Sequence, residues 1–169
     1  MILAVTGKIG SGKSTVARMF SGNIIDADRI GHEILAVVKD ELVSAFGEAI
    51  VKNGKVDRKA LAGIAFAGAD GVKRLNEITH PHIIQEIKKR IMPGLNIIDA
   101  ALYSELGIDK VADKVIVVRT DKLRIDPELA KRQIFQKEVK NPDYVVVNND
   151  INEARKQVED IKRFIKSSK

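Results

Sequence analysis

The chain has 169 residues with a net charge of +6, 44% hydrophobic residues and no cysteine. That is one domain's worth of chain with enough apolar content for a core, and it excludes a disulfide framework, a thiolate metal site and a cysteine nucleophile. Three histidines speak against a zinc enzyme, and no apolar run is long enough to span a membrane, so a soluble cytoplasmic protein is expected.

In chain order, Ile2 to Thr6 is a short apolar run that opens into a glycine loop, the pattern of a buried parallel strand. A helix over Gly12 to Phe20 is expected next, then a strand at Ile24-Ile25 before Asp26. About seventy residues without a strong strand follow, with helical patterns at Val38 to Phe46, Arg58 to Phe66 and Asp70 to Arg90. Pro81 is expected to split the last of these, starting a new helix to Ile91 with Ile84, Ile87 and Ile91 on one face. Further strands are expected at Asn96 to Ile98, Val115 to Val118 and Tyr144 to Val147. A helix starting at Pro127-Glu128 lies in a second insertion, and Glu153 to Ile165 closes the chain with Val158, Ile161 and Ile165 as its buried stripe. Short Val/Ile-rich strands separated by helices predict an α/β fold with a parallel sheet covered on both faces.

Gly7-Lys8-Ile9-Gly10-Ser11-Gly12-Lys13-Ser14 satisfies G-x-x-x-x-G-K-[ST] at every fixed position, after a strand and at a helix start. The glycines let successive N–H groups turn inward as an anion nest, and the helix N-terminus adds positive potential. Lys8, Ile9, Gly10, Ser11 and Gly12 would line the phosphates of ATP. Lys13 would place a charge on the outer phosphates, Ser14 a hydroxyl on Mg²⁺, and Thr15 a hydroxyl on a phosphate oxygen. The alternative is a Gly-rich turn capping a helix. No N-K-x-D base-reading motif is present, and the chain is small for a motor. A P-loop chain with two helical insertions resembles the nucleoside monophosphate kinase group, where one insertion binds the acceptor and the other closes over ATP to exclude water.

The remaining motifs narrow this. Ile25-Asp26-Ala27-Asp28, Phe46-Gly47 and Val56-Asp57-Arg58-Lys59-Ala60-Leu61 lead to Leu75-Asn76-Glu77-Ile78-Thr79-His80-Pro81-His82-Ile83. Leu102-Tyr103-Ser104-Glu105 and Asp143-Tyr144-Val145-Val146-Val147-Asn148 complete the set. In that order, from Met1 to about Asp150, they resemble the dephospho-coenzyme A kinase family. Three departures stand out. Ala101 occupies a position where that family usually has Pro, Ser104 replaces an apolar or aromatic residue, and Gln133 breaks the apolar position of an R-I-x-x-Q that Arg132 and Gln136 otherwise keep. The segment after Val118 is also short for the family's lid.

The resemblance implies a five-stranded P-loop kinase core over about 1–29, 93–119 and 142–169, a helical acceptor-binding insertion over about 30–92 and a lid over about 120–141. It implies phosphorylation of the ribose 3′-hydroxyl of dephospho-coenzyme A, with ATP and Mg²⁺, and neither nucleic acid nor membrane as partner. Asp28 is then the residue that orients the acceptor hydroxyl, reached by an extended chain that points Asp26 and Asp28 the same way; a helix N-cap is its other reading. His80 is either an acceptor contact or a structural hydrogen-bonder. Asp99 ends a strand where a carboxylate can hold magnesium through water, or caps a turn. Arg124 and Arg132 are candidates for the cation that spreads charge off the transferring phosphoryl group, with a solvated helix face as the alternative for Arg132. Asn148 either borders the adenine or belongs to an Asn148-Asn149-Asp150 turn. Two competitors remain: another nucleoside or nucleotide kinase on the same scaffold, and a nucleotide-gated nucleic-acid binder, which the scattered basic residues and 4% aromatics do little to favour.

Overall fold

A computed structural model describes residues 1–122 and 136–167. Arg124, Arg132, the Pro127 helix start and most of the expected lid lie outside them. The described chain divides into two compact units, residues 28–89 and the remainder.

The larger unit holds a five-stranded parallel sheet: β1 (Ile2–Gly7), β2 (Asn23–Asp26), β5 (Asn96–Asp99), β6 (Lys114–Arg119) and β7 (Tyr144–Val147), in the order β2-β5-β1-β6-β7. Central β1 pairs with β5 on one side and β6 on the other. The chain leaves β1 toward β2 and later returns to its opposite side, so the loops part at the carboxyl end of β1, where open α/β sheets bind their ligands. Alternation along the strands sends Leu3, Val5, Ile97, Ile116, Val118 and Val146 to one face, where α1 (Lys13–Met19) and α6 (Ile151–Ser167) cover them. The α6 stripe is Ala154, Val158, Ile161 and Ile165. Each fully buried Val, Leu or Ile of this cluster contributes about 1.5–3 kcal/mol through water removal.

The amino-terminal rim of the sheet and its β7 edge are finished by polar side chains. At the amino-terminal rim, buried Asn96 accepts from Asn23 Nδ2 (2.9 Å) and from the Met92 N–H (2.9 Å) and donates to the Met92 carbonyl (2.7 Å). Asp113 accepts from the Ile2 N–H (2.7 Å), and Asp143 from the Val115 N–H (2.8 Å) and from Lys114 Nζ (2.7 Å). β7 is an edge strand, and Gln157 of α6 acts as a substitute neighbour: Val147 donates its N–H to Gln157 Oε1 (2.9 Å), and Gln157 Nε2 donates to the Val147 carbonyl (3.0 Å).

The smaller unit contains most of α2 (Ala27–Val37), α3 (Lys39–Phe46), the hairpin strands β3 (Val51–Lys52) and β4 (Lys55–Val56), α4 (Arg58–Ala65) and α5 (Ala69–Lys89). Asp57 caps α4, accepting the N–H groups of Lys59 (2.9 Å) and Ala60 (3.1 Å), and these bonds hold its carboxyl below the usual range. Between the expected helices, Asn53 (φ 52°) and Gly54 (φ 74°) add the tight turn of a short hairpin, a conformation an Asn-Gly pair tolerates at low cost. One expectation is corrected: Pro81 does not divide α5, which runs unbroken for 21 residues with Pro81 inside it. Pro81 faces solvent, while Val72, Thr79, Ile83 and Ile87 are buried, so the packed face holds the helix together across the missing donor. Of the expected Ile84, Ile87 and Ile91, only Ile87 belongs to that stripe: Ile84 is half-buried and Ile91 lies beyond the end of the helix.

Candidate active site

β1 ends at Gly7, and after five intervening residues α1 begins at Lys13. Between them the backbone curls: Ser11 donates its N–H to the Lys8 carbonyl (3.0 Å), and Gly10 (φ 84°) and Gly12 (φ 83°) take left-handed conformations. Gly12 precedes α1 and brings no capping side chain, and the first turn of α1 carries no acid. By contrast α2, α3, α5 and α6 each have an acid in the first turn, and α4 has the Asp57 cap. Alone among the described α-helices, α1 begins with neither a capping side chain nor an acid in its own first turn, as suits an anion-binding loop. Lys8 and Gly10 are exposed, Ile9, Lys13 and Ser14 half-buried, Thr15 exposed, and Ser11 buried.

A cavity of about 760 Å³ opens at the carboxyl ends of β1 and β6, bounded by Gly7, Lys8, Ser11, Arg119, Asp121 and Gln136 among others. Two side chains from the family-like motifs, Gln136 and Asn148, bond to the loop, and a third, Glu105, bonds beside Gln136. Gln136 Nε2 donates to the carbonyls of Gly7 (2.9 Å) and Ala101 (2.7 Å). Glu105 accepts the N–H of neighbouring Lys137. Asn148 donates from Nδ2 to the Ser11 carbonyl (2.9 Å), and that nitrogen stands where any Cβ at position 12 would lie. Residue 12 is therefore glycine on two counts, its left-handed backbone and the space that Asn148 takes.

The Asn148-Asn149-Asp150 turn divides its labour. While Asn148 holds the loop, Asn149 Oδ1 accepts from Thr120 Oγ1 (3.1 Å) and the Asp121 N–H (2.9 Å), and Asp150 caps α6 through the N–H groups of Asn152 and Glu153. The adenine expectation for Asn148 thus meets a side chain already engaged with the phosphate loop, with its backbone N–H given to the Arg119 carbonyl (2.7 Å).

Asp26 and Asp99 end adjacent strands in register. Both belong to an Asn-Ile-Ile-Asp tetrapeptide, repeated at 23–26 and 96–99, so the paired strands carry identical residues side by side and set two carboxylates next to each other at the ligand rim. Asp99 is buried at 5% exposure. Asp28 does not continue this strand. It is exposed in the first turn of α2, which corrects the extended-chain picture in which Asp26 and Asp28 point the same way. The cause is that the helix begins at Ala27, immediately after Asp26. His80 is half-buried on α5 in the helical unit, and its neighbour His82 lies 4.0 Å from Glu41. Among the described residues, no three His, Cys, Asp or Glu side chains cluster as a metal cage.

A family model described as dephospho-CoA kinase matches residues 1–161 of this chain. The chain belongs to the dephospho-CoA kinase family. A Fusobacterium nucleatum dephospho-CoA kinase is 36% identical over 184 residues, covering 94% of this chain and 95% of that protein. The alignment is longer than this chain, so the relative carries insertions with respect to it. In fold, a crystal structure of a Thermus thermophilus protein matches with a TM-score of 0.80 at 24% identity, over 99% of this chain and 97% of that one. A dephospho-CoA kinase from Campylobacter jejuni matches with a TM-score of 0.72 at 23% identity, over 99% and 98%. As a member of a kinase family the protein is an enzyme with a P-loop kinase fold, and ATP is a substrate of that family. Among the described residues, no helix is long and apolar enough to cross a membrane.

Proposed function

We propose that this enzyme transfers the γ-phosphoryl group of ATP to the ribose 3′-hydroxyl of dephospho-coenzyme A, giving coenzyme A and ADP. The observation that carries the reading is the match to the dephospho-CoA kinase family over residues 1–161, in a chain whose phosphate loop joins β1 to α1. In the transfer, the acceptor oxygen forms a bond to the γ-phosphorus, the bond from that phosphorus to the β,γ-bridging oxygen breaks, and the hydroxyl proton departs. Such a transition state is loose, so the protein's work is placement and charge stabilisation.

Within this reading, the N–H groups from Lys8 to Thr15 cradle the phosphates and Lys13 meets the outer ones. Asp28 orients the acceptor hydroxyl and takes up its proton. His80 contacts the acceptor, which the helical unit of residues 28–89 holds. Arg124 and Arg132, on the lid segment of about 120–141, draw charge off the transferring group. Ser14 and Asp99 offer the hydroxyl and carboxylate oxygens that suit Mg²⁺, an ion bound by few protein groups and completed by water and phosphates. When bound, Mg²⁺ neutralises charge on the β- and γ-phosphates. A cytoplasmic location, with no nucleic-acid partner, completes the proposal.

The test is ADP release from Mg-ATP with dephospho-coenzyme A, adenosine, AMP, shikimate or no acceptor, with the phosphate position of the product determined. Turnover confined to dephospho-coenzyme A with a 3′-phosphate product is expected. Turnover on a different acceptor would keep the scaffold and discard the substrate. Lys13→Ala is expected to abolish transfer while the fold survives, and near-normal turnover in that variant would overturn the phosphate-loop assignment.

A further inference from the structure

An anion nest turns its N–H groups inward, so its carbonyls turn outward, and an outward carbonyl set among protein groups needs a donor of its own. In the loop from Gly7 to Gly12, two carbonyls are satisfied locally: Lys8 accepts from the Ser11 N–H at 3.0 Å and Gly12 from the Val16 N–H at 3.1 Å. Two others depend on side-chain amides from far along the chain. The Gly7 carbonyl, at the loop's entrance, accepts from Gln136 Nε2 at 2.9 Å, across 129 residues. The Ser11 carbonyl, near its exit, accepts from Asn148 Nδ2 at 2.9 Å, across 137 residues.

Each amide is itself anchored. Gln136 gives its second hydrogen bond to the Ala101 carbonyl (2.7 Å), just past β5. Asn148 follows β7 directly, and its N–H is tied to Arg119 (2.7 Å) at the end of β6. The loop is therefore pinned at both ends to the carboxyl termini of β5, β6 and β7. The bond at Ser11 is reinforced by shape, because Asn148 Nδ2 fills the space beside Gly12.

We propose that Gln136 and Asn148 are positioning residues for the nucleotide, holding the phosphate loop in its anion-binding curl before ATP arrives. The inference rests on reading Gly7–Ser14 as the ATP phosphate site. Preorganisation of this kind lowers the ordering cost of binding, so its loss appears in nucleotide affinity and not in the transfer step.

Gln157 provides an internal control. Its amide makes the same two-point contact with Val147, one residue before Asn148, without bonding to the loop. The experiment compares Asn148→Ala, Gln136→Ala and Gln157→Ala in the full chain. Three quantities are read: the dissociation constant of a non-hydrolysable ATP analogue by calorimetry, the KM for each substrate with kcat, and the thermal midpoint without nucleotide. The expected result for the Asn148 and Gln136 variants is about a five- to tenfold weaker nucleotide affinity, the loss typical of one such hydrogen bond, with a matching rise in the KM for ATP. The KM for the acceptor and kcat at saturating ATP should stay within about twofold. Gln157→Ala should lower the thermal midpoint and leave nucleotide affinity unchanged. If Asn148→Ala does not fold, Asn148→Ser, which keeps a hydroxyl donor, takes its place in the comparison.

Unchanged nucleotide affinity in both loop-facing variants would overturn the proposal. So would an equal affinity loss in Gln157→Ala, or a fall in kcat with nucleotide affinity intact. A wild-type chain that binds no ATP analogue would instead overturn the reading of the loop itself, a result distinct from variants that bind as well as the wild type.

Discussion

Asp28 and Asp143 show how differently two carboxylates are used in one chain. Asp28 stands exposed in the first turn of α2 and was legible from its motif, although the helix starting at Ala27 puts it off the strand that the sequence suggested. In the proposed reaction it places the acceptor hydroxyl, so Asn at this position should lower kcat by about 10²-fold or more while the KM for ATP changes little. Steady-state kinetics with both substrates would decide it, and a near-wild-type kcat would remove Asp28 from the mechanism. Asp143 is structural. Burial pushes its carboxyl up, but the hydrogen bonds from Lys114 and the Val115 N–H outweigh this and bring it below the ordinary 3.8. A carboxyl lowered in the folded state contributes its full stabilisation above pH 3.8; as pH falls further the unfolded chain takes up the proton first, and the contribution is lost through the folded value. Asp143→Asn should therefore cost about 1 kcal/mol at neutral pH, discounted for partial exposure, and flatten the acid limb of a urea-midpoint titration below about pH 4.

At the scale of elements, Pro81 suggests a helix boundary because local pattern weighs each residue by its average behaviour. In α5 the buried Val72, Thr79, Ile83 and Ile87 outweigh the local penalty at Pro81. Pro81 withholds a donor from the Glu77 carbonyl, so Pro81→Ala should stabilise the fold by about 1–2 kcal/mol, after allowance for the more flexible unfolded chain. A higher thermal midpoint checks this, and a lower one would mean that Pro81 relieves strain in α5. The hairpin of β3 and β4 was available to sequence reasoning, since Asn53-Gly54 is the strongest short turn signal in that stretch. Strands of two residues are too short for an alternating pattern to reveal them, which is why the turn alone carried the information.

For the whole molecule, the net charge of +6 matters through the company it keeps. ATP and the proposed acceptor are polyanions, and a basic protein draws them in by long-range attraction. Raising ionic strength from about 0.05 to 0.5 M, which shortens the screening length to a few ångströms, should lower kcat/KM several-fold with kcat at saturation much less affected. A salt-independent kcat/KM would leave the basic residues as solvated helix faces. The sequence by itself determined the order of strands and helices, the phosphate loop and the family motifs. These are written in local periodicity and in short runs whose chemistry acts where they stand. Only the tertiary structure decided that two Asn-Ile-Ile-Asp strands lie in register, setting Asp26 beside Asp99, and that Gln136 and Asn148 reach the loop across more than a hundred residues. Strand order and register come from burying apolar faces together, and no local pattern encodes which distant side chain that burial brings into reach.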